Sequence, residues 1–266
     1  MPPASPVLSR RKLIVAAGGL LIAPRAFAED AGHAPARRAP AAARAPAAHA
    51  ETPHVEAAHA EVAGGLTPEA AMARLVAGNA RYATGQAMHG NQDAHRRMEV
   101  ATGQTPFATI LACADSRVAP ELIFDQGLGD LFTVRVAGNV VDDAVLASIE
   151  YSVIHLGSTL IMVLGHERCG AVKATIDALD GKGSPDDAGT RIGALAALIA
   201  PAVRAAPADG DRVDATVSLN ASHAAAEIFA GSPPLRARVL AGKLKIVAAR
   251  YDLDDGMVTP AKSEIA

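Results

Sequence analysis

The 266-residue chain has no tryptophan, and five phenylalanines and three tyrosines are its only aromatic side chains apart from histidine. A core made from it must be aliphatic and closely packed, because large rings are not available to fill it. Cysteine is also scarce. Two in the whole chain exclude a disulfide-dense scaffold. Excess charge of either sign is missing too: 25 basic and 28 acidic residues give a net charge of −3. That balance leaves no basic footprint for nucleic acid. Internal repeats are absent, and beyond the N-terminus no apolar run is long enough to span a bilayer. What remains is half hydrophobic, enough for one substantial core.

The N-terminal quarter is unlike the rest. Arg10 and Arg11 precede "LIVAAGGLLIA", an apolar stretch too short to be a stable membrane span, and "AFA" at 26–28 is a small-x-small cleavage signal. "SRRKLI" also resembles the bacterial twin-arginine export signal. Residues 1–28 therefore read as a signal peptide, and the mature protein is expected in the periplasm with no membrane attachment. Residues 29–65 are Ala-, Pro- and His-rich with almost no large apolar side chains. They cannot bury enough surface to offset chain entropy, so a disordered linker is expected. The folded domain should occupy 66–262, with 263–266 as a tail.

Within that domain, "FATILAC" (107–113), "LFTVRVAG" (131–138), "TLIMVLGH" (159–166) and "LKIVAAR" (244–250) are apolar runs. The first and third are apolar almost throughout, which fits strands covered on both faces of a parallel sheet. Helical patterns lie between them, among them "DDAVLASIEYSVIHLG" and "CGAVKATIDALDG". This alternation predicts an α/β domain with a mostly parallel central sheet flanked by helices. "LTPEAAMARLVAGNARYATG" opens with Thr67 as N-cap and Pro68 at the first helical position, and predicts an exposed or partner-packed helix. "YDLDDGMV" carries a turn signal for a closing hairpin. "NAS" at 220–222 formally matches a glycosylation acceptor and is read as chance.

Both cysteines fall at strand ends. Cys113 closes the first run in "CADSR", and "GHERCG" puts His166 and Cys169 at the end of the third. In α/β sheets ligands bind beyond the carboxyl ends of strands. Two thiolates and an imidazole at one sheet edge, with Asp115 nearby as a carboxylate, form a donor set suited to tetrahedral Zn2+. Gly165 and Gly170 should permit close backbone approach there. Cys169 should also sit near a helix N-terminus, which favours a thiolate. A Cys113–Cys169 disulfide, inert buried thiols and a closed structural zinc site are the other readings of this pattern. Asp115 has two competing partners. Paired with Arg117 it leaves zinc an open position, and bound to zinc it closes the site.

"CADSR" followed by "GHERCG" resembles the β-class carbonic anhydrases, and the similarity extends over most of 67–260. The resemblance implies a zinc enzyme that interconverts carbon dioxide and bicarbonate through zinc-bound hydroxide, as a homodimer or tetramer. It implies Cys113, His166 and Cys169 as metal ligands, with Asp115 as an alternating ligand. It also implies Asp115 and Arg117 as the catalytic dyad, and Gln104, Phe132, Tyr151 and Gly170 about the substrate, some of them from the neighbouring subunit. Arg135 matches an arginine of a bicarbonate-inhibition pocket whose tryptophan is replaced here by Ile110. Carbonyl sulfide or carbon disulfide hydrolysis, and a non-catalytic zinc or bicarbonate sensor, are the other functions the resemblance leaves open.

Overall fold

The computed structural model describes residues 65–184, 187 and 189–261, all within the unit Ala58–Ala266. The expected signal peptide, all but the last residue of the expected linker, and the expected tail lie outside the described residues.

Among the described residues, eight α-helices and five strands follow one another. They are α1 (Pro68–Ala83), α2 (Ala94–Glu99), β1 (Ala108–Ala112), α3 (Pro120–Ile123), β2 (Leu131–Arg135), α4 (Asp143–His155) and β3 (Leu160–His166). Then come α5 (Gly170–Leu179), α6 (Ile192–Ala205), α7 (Arg212–Gly231), α8 (Pro233–Leu240), β4 (Lys245–Tyr251) and β5 (Val258–Pro260). The strands form one sheet in the order β2-β1-β3-β4-β5. The first four are mutually parallel and β5 returns antiparallel along β4, closing the expected hairpin. The α/β expectation and all four expected strand runs are met.

β1 and β3 are buried at every residue, as their unbroken apolar sequences require. Their side chains divide between two faces. Ile110, Ala112, Leu160, Met162 and Leu164 pack with Ala71 and Leu75 of α1. Leu111, Ile161 and Val163 pack with Ile149 of α4 and with Ala224 and Ile228 of α7. Alanine and glycine do the work that large rings would otherwise do, by letting elements approach closely. Gly78 of α1 lies so near Phe124 that a β-carbon there would fall 1.8 Å from its carbonyl oxygen.

Thr67 caps α1 and Pro68 starts it, as expected, but α1 is not an exposed helix. Its inner face reaches the core, and Tyr82 bonds the Tyr251 hydroxyl at 3.1 Å. Only the outer face, with Val76, is open.

The turn after α3 depends on Asp125, a left-handed residue at φ 47° whose side chain is fully buried. Its carboxylate accepts from the N–H groups of Met88 and His89 and from Arg81 Nε at 2.6 Å. Burial pushes this carboxyl up, but the Met88 N–H, Arg81 and the His89 N–H outweigh it and hold its pKa below the usual carboxylate value. A depressed folded pKa gives stability above the unfolded value of about 4, and that stability is lost as pH falls through the folded value. Asp125→Asn tolerates the left-handed backbone. It should cost about 1–3 kcal/mol at pH 7. In urea unfolding from pH 7 to pH 3, the gap between parent and variant should narrow towards the acid end.

Candidate metal centre

The register of the sheet brings the site together. Ala112 of β1 pairs with Leu164 of β3, so Cys113 leaves β1 level with the end of β3, where His166 is the last residue. The chain then turns sharply through Arg168, at φ 52°, into Cys169, the N-cap of α5. Both cysteines are free and lie 4.0 Å apart at sulfur. One donor atom from each of Cys113, His166 and Cys169 falls within 4.8 Å of the others, and all three residues are buried. The disulfide reading is therefore set aside.

The donors fit zinc on two counts. Thiolates held at ~2.3 Å in a tetrahedral set are about 3.8 Å apart, close to the separation found. His166 Nδ1 lies 3.0 Å from the Glu167 carbonyl oxygen, which can only accept, so the ring proton belongs on Nδ1. That leaves the Nε2 lone pair free. Nε2 is buried and has no hydrogen-bond partner. An unpartnered buried acceptor between two thiols is what a metal ligand looks like before the metal is counted.

Without metal, the thiols share one negative charge. The Cys113 thiol is pushed down to about 4, chiefly by the hydrogen bond from Cys169. Burial opposes the shift, while the N–H groups of Gly138 and Asp115 assist it. Cys169 is pushed up instead, because it donates to Cys113 and is buried. The N–H groups at the start of α5 pull the other way and lose. The helix start favours a thiolate at Cys169, as expected, and the close sulfur pair sets the two thiols against each other.

Asp115 lies at the rim. Arg117 grips it in a fork, Nε to Oδ1 at 2.9 Å and Nη2 to Oδ2 at 2.8 Å, and the Arg117 N–H adds a third bond at 2.9 Å. This holds the Asp115 carboxyl far below the usual carboxylate range. Its Oδ2 is 3.9 Å from His166 Nε2. The pair is thus in the arrangement that leaves a fourth metal position open.

The remaining expected site residues do not all gather here. Gly170 starts α5 beside the triad, but a β-carbon on it would meet nothing within 4 Å, so close approach is needed only at Gly165, which abuts Val217. Gln104 is exposed and precedes β1, at the opposite end of that strand from Cys113. Phe132 and Tyr151 pack together at 6.3 Å, and Tyr151 stacks on His155 at 5.2 Å. Phe132 is the second residue of β2 and pairs with Thr109, the second of β1, so this group also lies towards the far end of the strands. Tyr151 is half-exposed and not core.

Gly138 and Asn220 escaped the sequence reading of the centre, and Arg135 figures there only as part of a bicarbonate-inhibition pocket. The N–H of Gly138, at φ 69°, donates to Cys113 Sγ at 3.3 Å. Buried Asn220 holds the Gly138 carbonyl at 2.7 Å, so the formal glycosylation asparagine is internal. Arg135 donates to the carbonyls of Cys113 and Asp115 at 3.1 and 2.6 Å. It is thereby engaged with the metal loop's backbone.

A carbonic anhydrase family model matches residues 108–258. This span covers the sheet from β1 into β5 and every residue of the triad. The chain belongs to the carbonic anhydrase family. It is 44% identical over 190 residues to carbonic anhydrase 2 of Mycobacterium tuberculosis, covering 71% of this chain and 90% of that one. It is 42% identical over 192 residues to the carbonic anhydrase of Mycolicibacterium smegmatis, covering 72% and 92%. Among solved structures, the Coccomyxa β-carbonic anhydrase superposes with a TM-score of 0.55 at 28% identity, over 71% of this chain and 85% of that one. A tetrameric β-carbonic anhydrase from Sordaria macrospora gives 0.56 over 73% and 98%, but at 22% identity it speaks for the fold alone. The β class agrees with the parallel sheet described above.

Purified protein should carry about one zinc per chain. Cys113→Ser and Cys169→Ser should each lose most of it by elemental analysis, with helical circular dichroism retained. Full zinc in Cys113→Ser would remove Cys113 from the ligand set.

Proposed function

We propose that this β-class carbonic anhydrase hydrates carbon dioxide reversibly to bicarbonate and a proton, with Zn2+ held by Cys113, His166 and Cys169. Family membership and the extent of its likeness to the mycobacterial carbonic anhydrases make it a carbonate dehydratase. The observation that carries the metal reading is the buried, unpartnered Nε2 of His166 between two thiols. Two sulfurs and one nitrogen are a catalytic rather than a closed structural donor set, because a fourth position stays open.

Zinc bound there supplies Lewis acidity, which brings deprotonation of water into the neutral range. The chain's own residues then set direction. Asp115 stays ionised, so it can only accept a hydrogen bond, and a nucleophilic O–H near it must point its proton towards Asp115. That aims the oxygen lone pair away from the carboxylate and towards carbon dioxide. Arg117 occupies both carboxylate oxygens, fixing their orientation and keeping Asp115 off the metal. A new C–O bond forms at the carbon of carbon dioxide as one C=O π bond opens and its electron pair moves onto that oxygen, giving bicarbonate, and the proton lost by the attacking water leaves to buffer.

Gln104, Phe132 and Tyr151 lie beyond the opposite ends of the strands from their own triad. That separation supports a dimer in which these residues serve the neighbouring copy, with a tetramer as a further assembly. Export through the twin-arginine route is also proposed, from "SRRKLI". It would let thiolates meet zinc before they meet an oxidising compartment. Arg10→Lys with Arg11→Lys should then abolish periplasmic accumulation in cell fractionation.

The dyad is tested by Arg117→Ala. Freed from its fork, Asp115 should move to the metal and close the site. Zinc content should stay at the parent level, while stopped-flow hydration of carbon dioxide falls about 10- to 100-fold. The residual rate should rise with pH, as hydroxide competes better for the metal. Parent-level activity in that variant across pH 6–9 would reduce the Asp115–Arg117 pair to a structural ion pair.

A further inference from the structure

The loop between His166 and Cys169 supplies two of the three metal ligands and has only Glu167 and Arg168 to shape it. Both are anchored to one distant place, the β4–β5 turn. The Glu167 N–H donates to the Tyr251 carbonyl at 2.9 Å, extending the β3–β4 ladder one residue past His166. The Glu167 carboxylate accepts from the Leu253 N–H at 3.2 Å. It also faces Arg168 at 3.3 Å and Arg250 at 3.7 Å. Arg168 forks onto Asp254, Nη1 to Oδ2 at 3.0 Å and Nη2 to Oδ1 at 2.6 Å.

The turn itself is braced. Asp252 accepts from the N–H groups of Asp254 and Asp255 at 2.9 and 3.3 Å. Arg250 ties Asp252 at 3.0 Å and also holds Asp214 of α7. Glu167, Asp252 and Asp254 bring carboxylate oxygens within 4.8 Å of one another, but each is met by an arginine. The cluster is a charge web, not a second cation site.

We propose that Arg168 and Asp254 are positioning residues for the metal ligands: their ion pair pins the β4–β5 turn to the His166–Cys169 loop and sets how long zinc is retained. The proposal rests on the reading of Cys113, His166 and Cys169 as zinc ligands. Two features make an exposed pair matter here, where an isolated surface pair would not. Arg168 holds a left-handed backbone, φ 52°, that a bulky residue adopts only when its surroundings impose it, and that bend delivers Cys169 to the triad. The neighbouring Glu167 carbonyl takes the His166 Nδ1 proton, so whatever fixes Glu167 fixes the lone pair on Nε2. The guanidinium fork thus acts on both ligands of the loop through its backbone.

The test measures zinc release from the loaded full-length chain to excess 4-(2-pyridylazo)resorcinol at pH 7.5. Asp254→Ala is the decisive variant, because it leaves the residue type at the strained position 168 unchanged. It should speed zinc release about 3- to 10-fold, towards the lower end of what ligand-supporting contacts control. Arg168→Ala should do at least as much, and the double variant should be no faster than Arg168→Ala alone. Asp254→Ala should also shift the visible absorption bands of the cobalt-substituted protein. Asp180→Ala, which removes the comparable Asp180–Arg212 pair between α5 and α7, should release zinc at the parent rate. Parent-rate release from Asp254→Ala and Arg168→Ala, or equal acceleration in Asp180→Ala, overturns the proposal. A parent chain that takes up no zinc overturns the metal reading as well.

Discussion

A buried imidazole nitrogen with no partner is the constraint about which this structure is organised. Leaving such an acceptor dry would cost roughly 1–3 kcal/mol, which is why its burial beside two thiols points to a metal partner. The site is assembled because β1 and β3 are fixed in register by burial on both faces. Shifting either strand by one residue would invert its faces, and the apolar side chains that face α1 would then face α4 and α7. The same packing that chooses the register therefore places Cys113 and His166 together. Core and site are one arrangement.

Legibility from sequence followed that logic. The triad could be read because each ligand sits at the end of an unbroken apolar run, and strand ends are among the few places a sequence marks clearly. Asp115 and Arg117 could be read because they are two residues apart, and the tight turn there, with the Val118 N–H on the Asp115 carbonyl, brings their side chains together locally. The supports could not. Asn220 lies 82 positions from Gly138, whose carbonyl it holds. Its helical surroundings look the same whether it faces water or a buried backbone group. Arg135 ends β2 as an ordinary edge-strand arginine until the sheet order places it beside β1. The α1 helix reads as exposed or partner-packed because its inner stripe, Ala71, Leu75, Gly78 and Asn79, has one large apolar side chain, and small residues give a weak periodic signal even where backbone packing is tightest, as at Gly78.

The choice between the cysteines shows a different limit. A helix N-terminus is a sound reason to expect a thiolate at Cys169, and the N–H groups at the start of α5 do act in that direction. With sulfurs 4.0 Å apart, either thiol can donate to the other, a reciprocal contact that by itself favours neither. Cys113 also receives the N–H of Gly138, so the helix terminus is one influence among several on a pair that acts together.

The two groups of site residues, at opposite ends of the same strands, carry the last step. A parallel sheet sends every strand's carboxyl end to one edge, so a single copy can build a metal centre there without help. It cannot bring Gln104 to that centre, because β1 runs between Gln104 and Cys113. Phe132 and Tyr151 meet the same obstacle, one near the start of β2 and the other near the end of α4, which runs back from the metal edge. The geometry that makes the metal site self-sufficient thus makes a substrate pocket drawn from all these residues impossible within one chain. Tyr151 is about half-exposed (49%) with Ile154 beside it at 38%. That leaves an aromatic and aliphatic face of the kind that covers itself with a second copy. In the dimer proposed above, the direction of the strands would have the metal come from one copy and the pocket wall from the other.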